Sequence, residues 1–243
     1  MVGSTEATVK DEMTIVESIG ELANDPLWLG GMISRLLGAI FFIHFISALP
    51  QMLALIGKNG IEPVASLFDS IRRDIGVFRG VLKFPSLLWF STSDVMVIGV
   101  PMLGAIGALS IVTGVLESST WAGYLVVWLC ALSLQSANTN LFWFPWDNLL
   151  TEVALLGSLL PSLERLPAIR ATEAASPLVV ALCGWLLFRV MFGMGLNKFK
   201  VIDHRTRDGS FIYHFLEWQP FGTKESLYLH ALPMPAHKLL LAG

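Results

Sequence analysis

Charged residues are scarce in this chain. Only 14% of its 243 residues are Asp, Glu, Lys or Arg, whereas a soluble domain carries about 25%. The formal net charge is -3, and no basic stripe runs along the sequence. Because a clustered positive charge is the usual footprint of a nucleic-acid-binding protein, the sequence predicts no nucleic-acid partner.

Residues that build metal sites and disulfide frameworks are also few. The two cysteines, Cys130 and Cys183, lie inside apolar stretches, and we interpret them as small buried hydrophobic residues. Four of the five histidines follow residue 200, without the spacing of a metal motif. No phosphate-binding loop, dinucleotide fingerprint or Ser-His-Asp pattern occurs. The sequence therefore predicts no catalytic residue, no metal site and no cofactor, and it leaves bound lipid open as a ligand.

Long apolar blocks fill most of the chain instead. Hydrophobic residues make up 54% of it, and the blocks are long enough to cross a bilayer as helices. Five blocks can be separated, at residues 27–49, 94–116, 121–137, 141–160 and 178–199. The sequence therefore predicts an all-α fold, a polytopic membrane helix bundle with about five transmembrane helices. An acidic, polar tail (1–26) precedes this bundle (27–199), and an interfacial segment (200–243) follows it.

Local sequence signals predict where the first helix begins and ends and what structure follows it. Asp25 and Pro26 predict a helix start, Pro50 predicts its end, and Arg35 is expected to extend toward the nearer membrane surface. The connection contains a predicted turn at residues 57–63. Residues 64–81 then alternate apolar and charged side chains at helical spacing, which predicts an amphipathic helix on the membrane surface.

Glycines recur in two of the apolar blocks. Gly99, Gly104 and Gly107 lie in the second block, and Gly193 and Gly195 lie in the last one. Small residues let membrane helices approach one another closely. We therefore predict contacts with transmembrane helices of other protein chains or with lipids held in grooves.

Ionisable residues interrupt the last two blocks. A charge in hydrocarbon is costly unless it meets a partner or water. Asp147 directly follows Trp146. One interpretation places both residues at the headgroup level, where aromatic and charged side chains are tolerated. The other gives the Asp147 carboxylate a role inside the helix bundle. We predict that Arg189 bonds to Glu152, or to Asp147 nearer the interface. The intramembrane polar residues are predicted to be structural: Asp147, Glu152, Arg189, Asn197 and Lys198.

Five motifs occur in order along the chain. They are LIGKNGIEPV (55–64), FPSLLWFSTSD (84–94), FPWDNLLTEVALLGSLLP (144–161), RVMFGMGLNKFK (189–200) and YHFLEWQPFGTKESLYLHALP (213–233). In order and spacing they resemble the motifs of the lipase maturation factor family. The motif positions that we single out are Trp146, Asp147, His214, Gln219 and Pro220. The resemblance covers the membrane region of the family, and the globular domain that follows this region in family members has no counterpart in these 243 residues.

The resemblance implies a membrane-embedded, non-catalytic maturation factor that assists the folding or assembly of client proteins, secreted lipases among them. An alternative is a structural accessory subunit of a larger membrane protein complex, with the family fold reused as a scaffold. An enzymatic role would rest on fold-level analogy alone. Family resemblance places the chain in the endoplasmic reticulum or the bacterial inner membrane, and an organellar inner membrane is a third candidate.

Two arguments about orientation disagree. With five spans, residues 51–93 and the C-terminal segment lie on one side of the membrane, together with eleven of the sixteen basic residues. The excess of Lys and Arg places that side toward the cytoplasm or its equivalent. The family resemblance implies the reverse, with the first loop in the lumen.

Overall fold

The computed structural model describes residues 24–137, 145–200, 210–217 and 223–242. These residues form ten α-helices and no strand, with a single isolated β-bridge between Leu163 and Ala171. The helices are α1 (Pro26–Ile56), α2 (Val64–Ile75), α3 (Val77–Lys83), α4 (Asp94–Thr113), α5 (Thr120–Ala137), α6 (Pro145–Gly157), α7 (Pro177–Lys200), α8 (Phe211–Glu217), α9 (Lys224–His230) and α10 (Met234–Ala242). The predicted all-α fold is confirmed.

The chain divides into two compact units, residues 1–180 and 181–243. The first unit contains α1 to α6 and the first residues of α7, and the second contains the rest of α7 with α8, α9 and α10. The predicted acidic tail falls almost entirely outside the described residues. The predicted domain limits at residues 26 and 199 stay predictions.

Four described helices are long and apolar enough to cross a membrane: α1, α4, α7, and α5 together with the 3-10 turn Glu117–Ser119. They match four of the five predicted spans. The remaining block forms α6, whose 13 residues extend about 20 Å at ~1.5 Å per residue. This is shorter than a hydrocarbon core of about 30 Å, and residues 138–144 lie outside the described part of the chain.

Helix α6 nevertheless runs along the length of its neighbour α5. Asn148, near the start of α6, bonds to Gln135, near the end of α5. At the other end of α6, Gly157 lies against the ring of Tyr124, in the second turn of α5. The two helices are therefore antiparallel. The non-helical residues after Gly157 continue alongside α5 as far as its first residue, since the Leu163 amide donates to the Thr120 hydroxyl.

Helix α1 begins where the sequence predicts and ends later. The Asp25 carboxylate accepts a hydrogen bond of 2.9 Å from the Leu27 amide, and Pro26 is the first helical residue. The prediction that Pro50 ends the helix is wrong, because α1 continues to Ile56. Met52 and Ile56 are fully buried beyond the proline, and this packing stabilises the turns that follow it. Membrane helices tolerate prolines when neighbouring helices support the backbone.

The predicted surface helix at residues 64–81 needs two corrections. It is two helices, α2 and α3, because Gly76 has a φ of 80° and breaks the helical backbone. The apolar face of α2 also packs on protein rather than on lipid. Phe68 is buried, and its ring stacks on Trp89 with the centroids 4.2 Å apart. The helix is amphipathic as predicted, with charged residues on its outer face.

The loop between α6 and α7, residues 158–176, covers one end of the bundle, which we call the capped end. Its backbone amides donate to helix-end groups: Ala171 N–H to the Leu27 carbonyl at 2.9 Å, Leu166 N–H to the Thr113 carbonyl at 3.1 Å, and Leu163 N–H to Thr120 Oγ1 at 3.0 Å. Leu163 itself is fully buried. Arg170 of this loop pairs with Asp25 and lowers the pKa of that carboxyl below its usual value.

Arg35 of α1 secures the capped end from inside. It is only 8% exposed, so the prediction that it extends toward the membrane surface is wrong. Its guanidinium donates to the carbonyl oxygens of Glu164 at 2.6 Å and Ala168 at 2.8 Å. A buried charge must be compensated by hydrogen bonds, and the loop carbonyls supply them. Residues 57–93 lie at the opposite end of the bundle, where the Lys58 amide bonds to Asp94.

The glycines of α4 have different surroundings. A Cβ at Gly104 would lie 2.5 Å from the ring of the fully buried Phe45 on α1, and one at Gly107 would lie 3.0 Å from Val126 on α5. At Gly99, Gly193 and Gly195 no described atom lies within 4 Å of an added Cβ. Gly104 and Gly107 therefore bring helices of this chain together. Packing of the other three against another chain or lipid stays a prediction.

Gly104→Ala should destabilise the bundle, and Gly99→Ala should not. An added methyl group at Gly104 overlaps a buried ring, and overpacking of this kind costs about 1–3 kcal/mol. The same change at Gly99 meets open space and exchanges Gly for the better helix former. Thermal unfolding of both purified variants in detergent measures the difference. Equal unfolding midpoints would show that α1 and α4 can separate enough at Gly104 to accept a methyl group.

The orientation of the bundle can be tested with one introduced cysteine at each end. Ser66 is exposed on α2 at the end opposite the cap, and Glu173 is exposed at the capped end. In a chain without its own cysteines, the charge rule predicts that an impermeant thiol reagent labels Glu173→Cys from outside the membrane. Ser66→Cys should react only after permeabilisation. The reverse pattern would support the orientation implied by the family resemblance.

Candidate functional site

Polar side chains of α1, α5 and α6 line a small cavity inside the first unit. The cavity is no larger than one water molecule requires. Its lining residues are His44, Ala131, Leu134, Gln135, Asp147, Leu150 and Thr151. Asp147 of the predicted motif thus lies at a junction of three helices. We take this group of polar residues, together with Asn148, as the candidate site and call it the polar cluster.

The start of α6 positions the acidic member of the polar cluster. Pro145 opens the helix, and Asp147 lies in its first turn, where a carboxylate is favoured by the positive end of the helix dipole. One turn later, Thr151 Oγ1 lies 3.0 Å from the Asp147 carbonyl oxygen and 3.2 Å from Gln135 Oε1 of α5. The Gln135 amide also donates to Asn148 Oδ1. These bonds fix the register of α5 against α6.

His44 brings an imidazole from α1 to the same cavity. It is half-buried, and its ring meets Phe45 edge-on with the centroids 5.2 Å apart. A carboxylate and an imidazole lining one cavity can hold a proton or orient a single water molecule. In the part of the chain that the structure describes, no three His, Cys, Asp or Glu residues are grouped so that they could hold a metal ion. The structural role predicted for Asp147 stays a prediction.

The other predicted intramembrane residues lie on two helices. Trp146 is 59% exposed at the start of α6, and its location at the headgroup level stays a prediction. Glu152 is half-buried five residues after Asp147, on a different side of α6. Arg189 is exposed on α7 within the second unit. The pairing of Arg189 with Glu152 stays a prediction. Asn197 and Lys198 belong to the last turn of α7, and their side chains are outside the described set.

The second unit contains an aromatic cluster that the sequence analysis did not predict. Tyr213 of α8 stacks on His230 with the centroids 4.3 Å apart, and it meets His237 edge-on at 5.5 Å. His237 is fully buried, and neither of its ring nitrogens has a hydrogen-bond partner among the described residues. The motif residue His214 is on the same short helix, with its ring perpendicular to Tyr213. Gln219 and Pro220 lie outside the described residues.

Comparison with known proteins identifies the family. Residues 30–243 match the model of the lipase maturation factor transmembrane domain. The chain belongs to the lipase maturation factor family. Together with the four helices of membrane length, this makes it an integral membrane protein. No solved structure matches the chain.

Similar proteins within the family are of two kinds, lipase maturation factor 1 and lipase maturation factor 2. The chain is 29% identical to lipase maturation factor 1 of Bos taurus over 84% of its own length, and 27% identical to that of Homo sapiens over 91%. It is 28% identical to lipase maturation factor 2 of Homo sapiens over 83%. These alignments cover 37%, 40% and 30% of the respective relatives. The chain therefore spans less than half the length of each.

The acidic member of the polar cluster can be recognised from the sequence, whereas its contacts with α1 and α5 cannot. Asp147 stood out as a carboxylate in an apolar block. Asn148 and Thr151 stand beside it in the same block, whereas Gln135 gave no signal, because uncharged polar residues are common in membrane helices. The structural role of Arg35 was also missed. Its partners are backbone carbonyls more than a hundred residues away, and no residue type marks a carbonyl as an acceptor.

Proposed function

We propose that the chain is the membrane-embedded part of a maturation factor that helps secreted lipases fold or assemble and performs no catalysis of its own. The family match over residues 30–243 carries this proposal. The names of the relatives supply the client class, since both kinds are called lipase maturation factors. We further propose a location in the endoplasmic reticulum or a bacterial inner membrane.

The use of polar groups within the first unit supports a scaffold role. Ser34 of α1 and the hydroxyl of Tyr124 on α5 are hydrogen-bonded at 2.7 Å, and both side chains are buried. Thr151 and Gln135 connect α6 to α5 in the same way. Covalent catalysis requires a nucleophile with a base within hydrogen-bond reach. The bonds described here instead join one helix to the next, which supports the non-catalytic part of the proposal.

A chimera tests the maturation role, because the chain covers only part of its relatives. Residues 30–243 should replace the matching segment of lipase maturation factor 1 of Bos taurus in cells that lack their own maturation factor. We expect a co-expressed secreted lipase to regain activity in the medium. The matched controls are the chimera with Arg35→Met, which should fail to fold, and with Arg165→Met, which should behave like the parent. A chimera that folds but leaves lipase activity at background would overturn the proposal.

A second candidate function is that of an accessory subunit in a larger membrane complex. One side of α7 presents exposed aromatic rings, with Trp185 and Phe188 centred 5.5 Å apart and Phe188 and Phe192 centred 5.3 Å apart. Aromatic residues are enriched in protein interfaces. Purification of the chain from its native membrane in mild detergent distinguishes the two functions. A stable complex of fixed stoichiometry would favour the subunit, and lipases recovered in small amounts would favour the maturation factor.

A further inference from the structure

Two loops enclose a cavity at the end of the bundle opposite the cap. The cavity has a volume of about 500 Å3. One wall comes from the end of α1 and the turn after it, and the other comes from the residues that lead into α4. The lining residues are Ile56, Lys58, Pro63, Ala65, Ser91, Thr92, Ser93 and Asp94. The polar cluster does not use this cavity, and we refer to it as the loop pocket.

Backbone and hydroxyl hydrogen bonds hold the two walls of the loop pocket in place. The Lys58 amide donates to Asp94 Oδ1 at 2.8 Å and so connects one loop to the other. Ser91 Oγ donates to Ser93 Oγ at 3.1 Å, and Ser93 caps the first turn of α4. The walls are therefore fixed by main-chain atoms and short side chains. The long side chain of Lys58 is exposed, so its ammonium can meet a ligand.

Bulky apolar residues surround the loop pocket. Ile61, Phe90 and Val95 are 74%, 85% and 82% exposed, and each lies within two residues of a pocket-lining residue. Ile61 follows the end of α1, and Phe90 and Val95 flank the start of α4, two helices long and apolar enough to cross a membrane. Full exposure of such side chains to water costs about 1.5–3 kcal/mol each. Lipid tails would cover this surface, whereas polar side chains enter the loop pocket from Lys58 and from the wall at residues 91–94.

We propose that the loop pocket binds the headgroup of a zwitterionic, amine-bearing glycerophospholipid. The phosphate would accept hydrogen bonds from the Lys58 ammonium and from the Thr92 hydroxyl. The headgroup ammonium would lie against the Asp94 carboxylate. An anionic lipid without an amine would bring its phosphate to Lys58 but would gain nothing from Asp94. The acyl chains would pass over Ile61 and Phe90 into the bilayer.

Lipid binding to the delipidated chain in detergent tests this proposal. Binding of phosphatidylethanolamine and of phosphatidylglycerol should be measured by native mass spectrometry. We expect phosphatidylethanolamine to bind more tightly, and Lys58→Gln to weaken it about tenfold through loss of one charge-assisted bond. Lys83→Gln is the matched control, since it removes the same charge from the same end of the bundle outside the loop pocket and should bind like the parent. Asp94→Asn keeps an oxygen for the Lys58 amide and should abolish the preference between the two lipids.

Further measurements distinguish lipid binding from binding of soluble phosphate and from non-specific lipid binding. Phe90→Ser should weaken lipid binding without affecting folding, because Phe90 is an exposed side chain outside the packed core. Inorganic phosphate and free phosphoethanolamine should compete poorly, since they lack acyl chains. Competition by either at concentrations similar to the lipid would overturn the assignment in favour of a soluble phosphate site. Equal binding by the Lys58→Gln and Lys83→Gln variants would show that the loop pocket does not select the lipid.

Discussion

Replacing Arg35 with methionine should cost about 3–5 kcal/mol of stability, because it removes two hydrogen bonds from a charged donor. Methionine keeps an unbranched stem but removes the guanidinium, which donates to the carbonyls of Glu164 and Ala168. These carbonyls would lose a charged donor, and the loop at the capped end would lose its contact with the interior of α1, keeping only the bonds to Leu27 and Asp25 at the start of that helix. The loop also bonds to α4 and α5, so its release would expose the ends of three helices.

Folded yield and thermal unfolding in detergent measure this loss. Arg165→Met is the matched control, because Arg165 is an exposed arginine of the same loop and surface substitutions usually change stability by less than about 0.5 kcal/mol. Arg35→Lys should give an intermediate result, since an ammonium cannot present the planar fork of a guanidinium to two acceptors. Stability of Arg35→Met equal to that of Arg165→Met would contradict a structural role for Arg35.

Loss of either Glu152 or Arg189 alone should cost roughly 3–5 kcal/mol, and loss of both should cost much less. The prediction follows from the sequence, in which each residue lies well inside an apolar block. A single substitution leaves one charge in a medium of low polarity without its partner. Replacement of both by leucine removes the charges together, which membrane helices accept readily.

A double-mutant cycle measures this coupling. The variants are Glu152→Leu, Arg189→Leu and the pair, compared by folded yield in detergent. Glu164→Leu serves as the control for loss of a carboxylate, since Glu164 is exposed at the capped end and its contact with Arg35 uses the backbone carbonyl. Losses that simply add would show that the two residues are independent. In that case Glu152 and Arg189 are not paired, and each is stabilised by other groups.

The class of fold and the position of most helices follow from the amino-acid pattern alone. Within a bilayer every backbone amide and carbonyl must find a partner inside the chain, so an apolar block of about twenty residues has little alternative to a helix. Four predicted blocks are helices of that length. The start at Asp25 and Pro26 was equally predictable, because capping depends on neighbours along the chain. Asp147 could be singled out from the sequence, since a carboxylate is rare in such a block.

Contacts between distant segments determine which of these residues are packed against a partner. Gly99 and Gly104 look alike in the sequence, yet only Gly104 lies against a buried ring. Pro50 looks like a helix end, but burial of Met52 and Ile56 holds the next turns in place. Arg35 resembles an interfacial arginine until the loop at residues 158–176 folds over it. Each outcome depends on contacts between segments distant in the chain, and local pattern carries no information about such contacts.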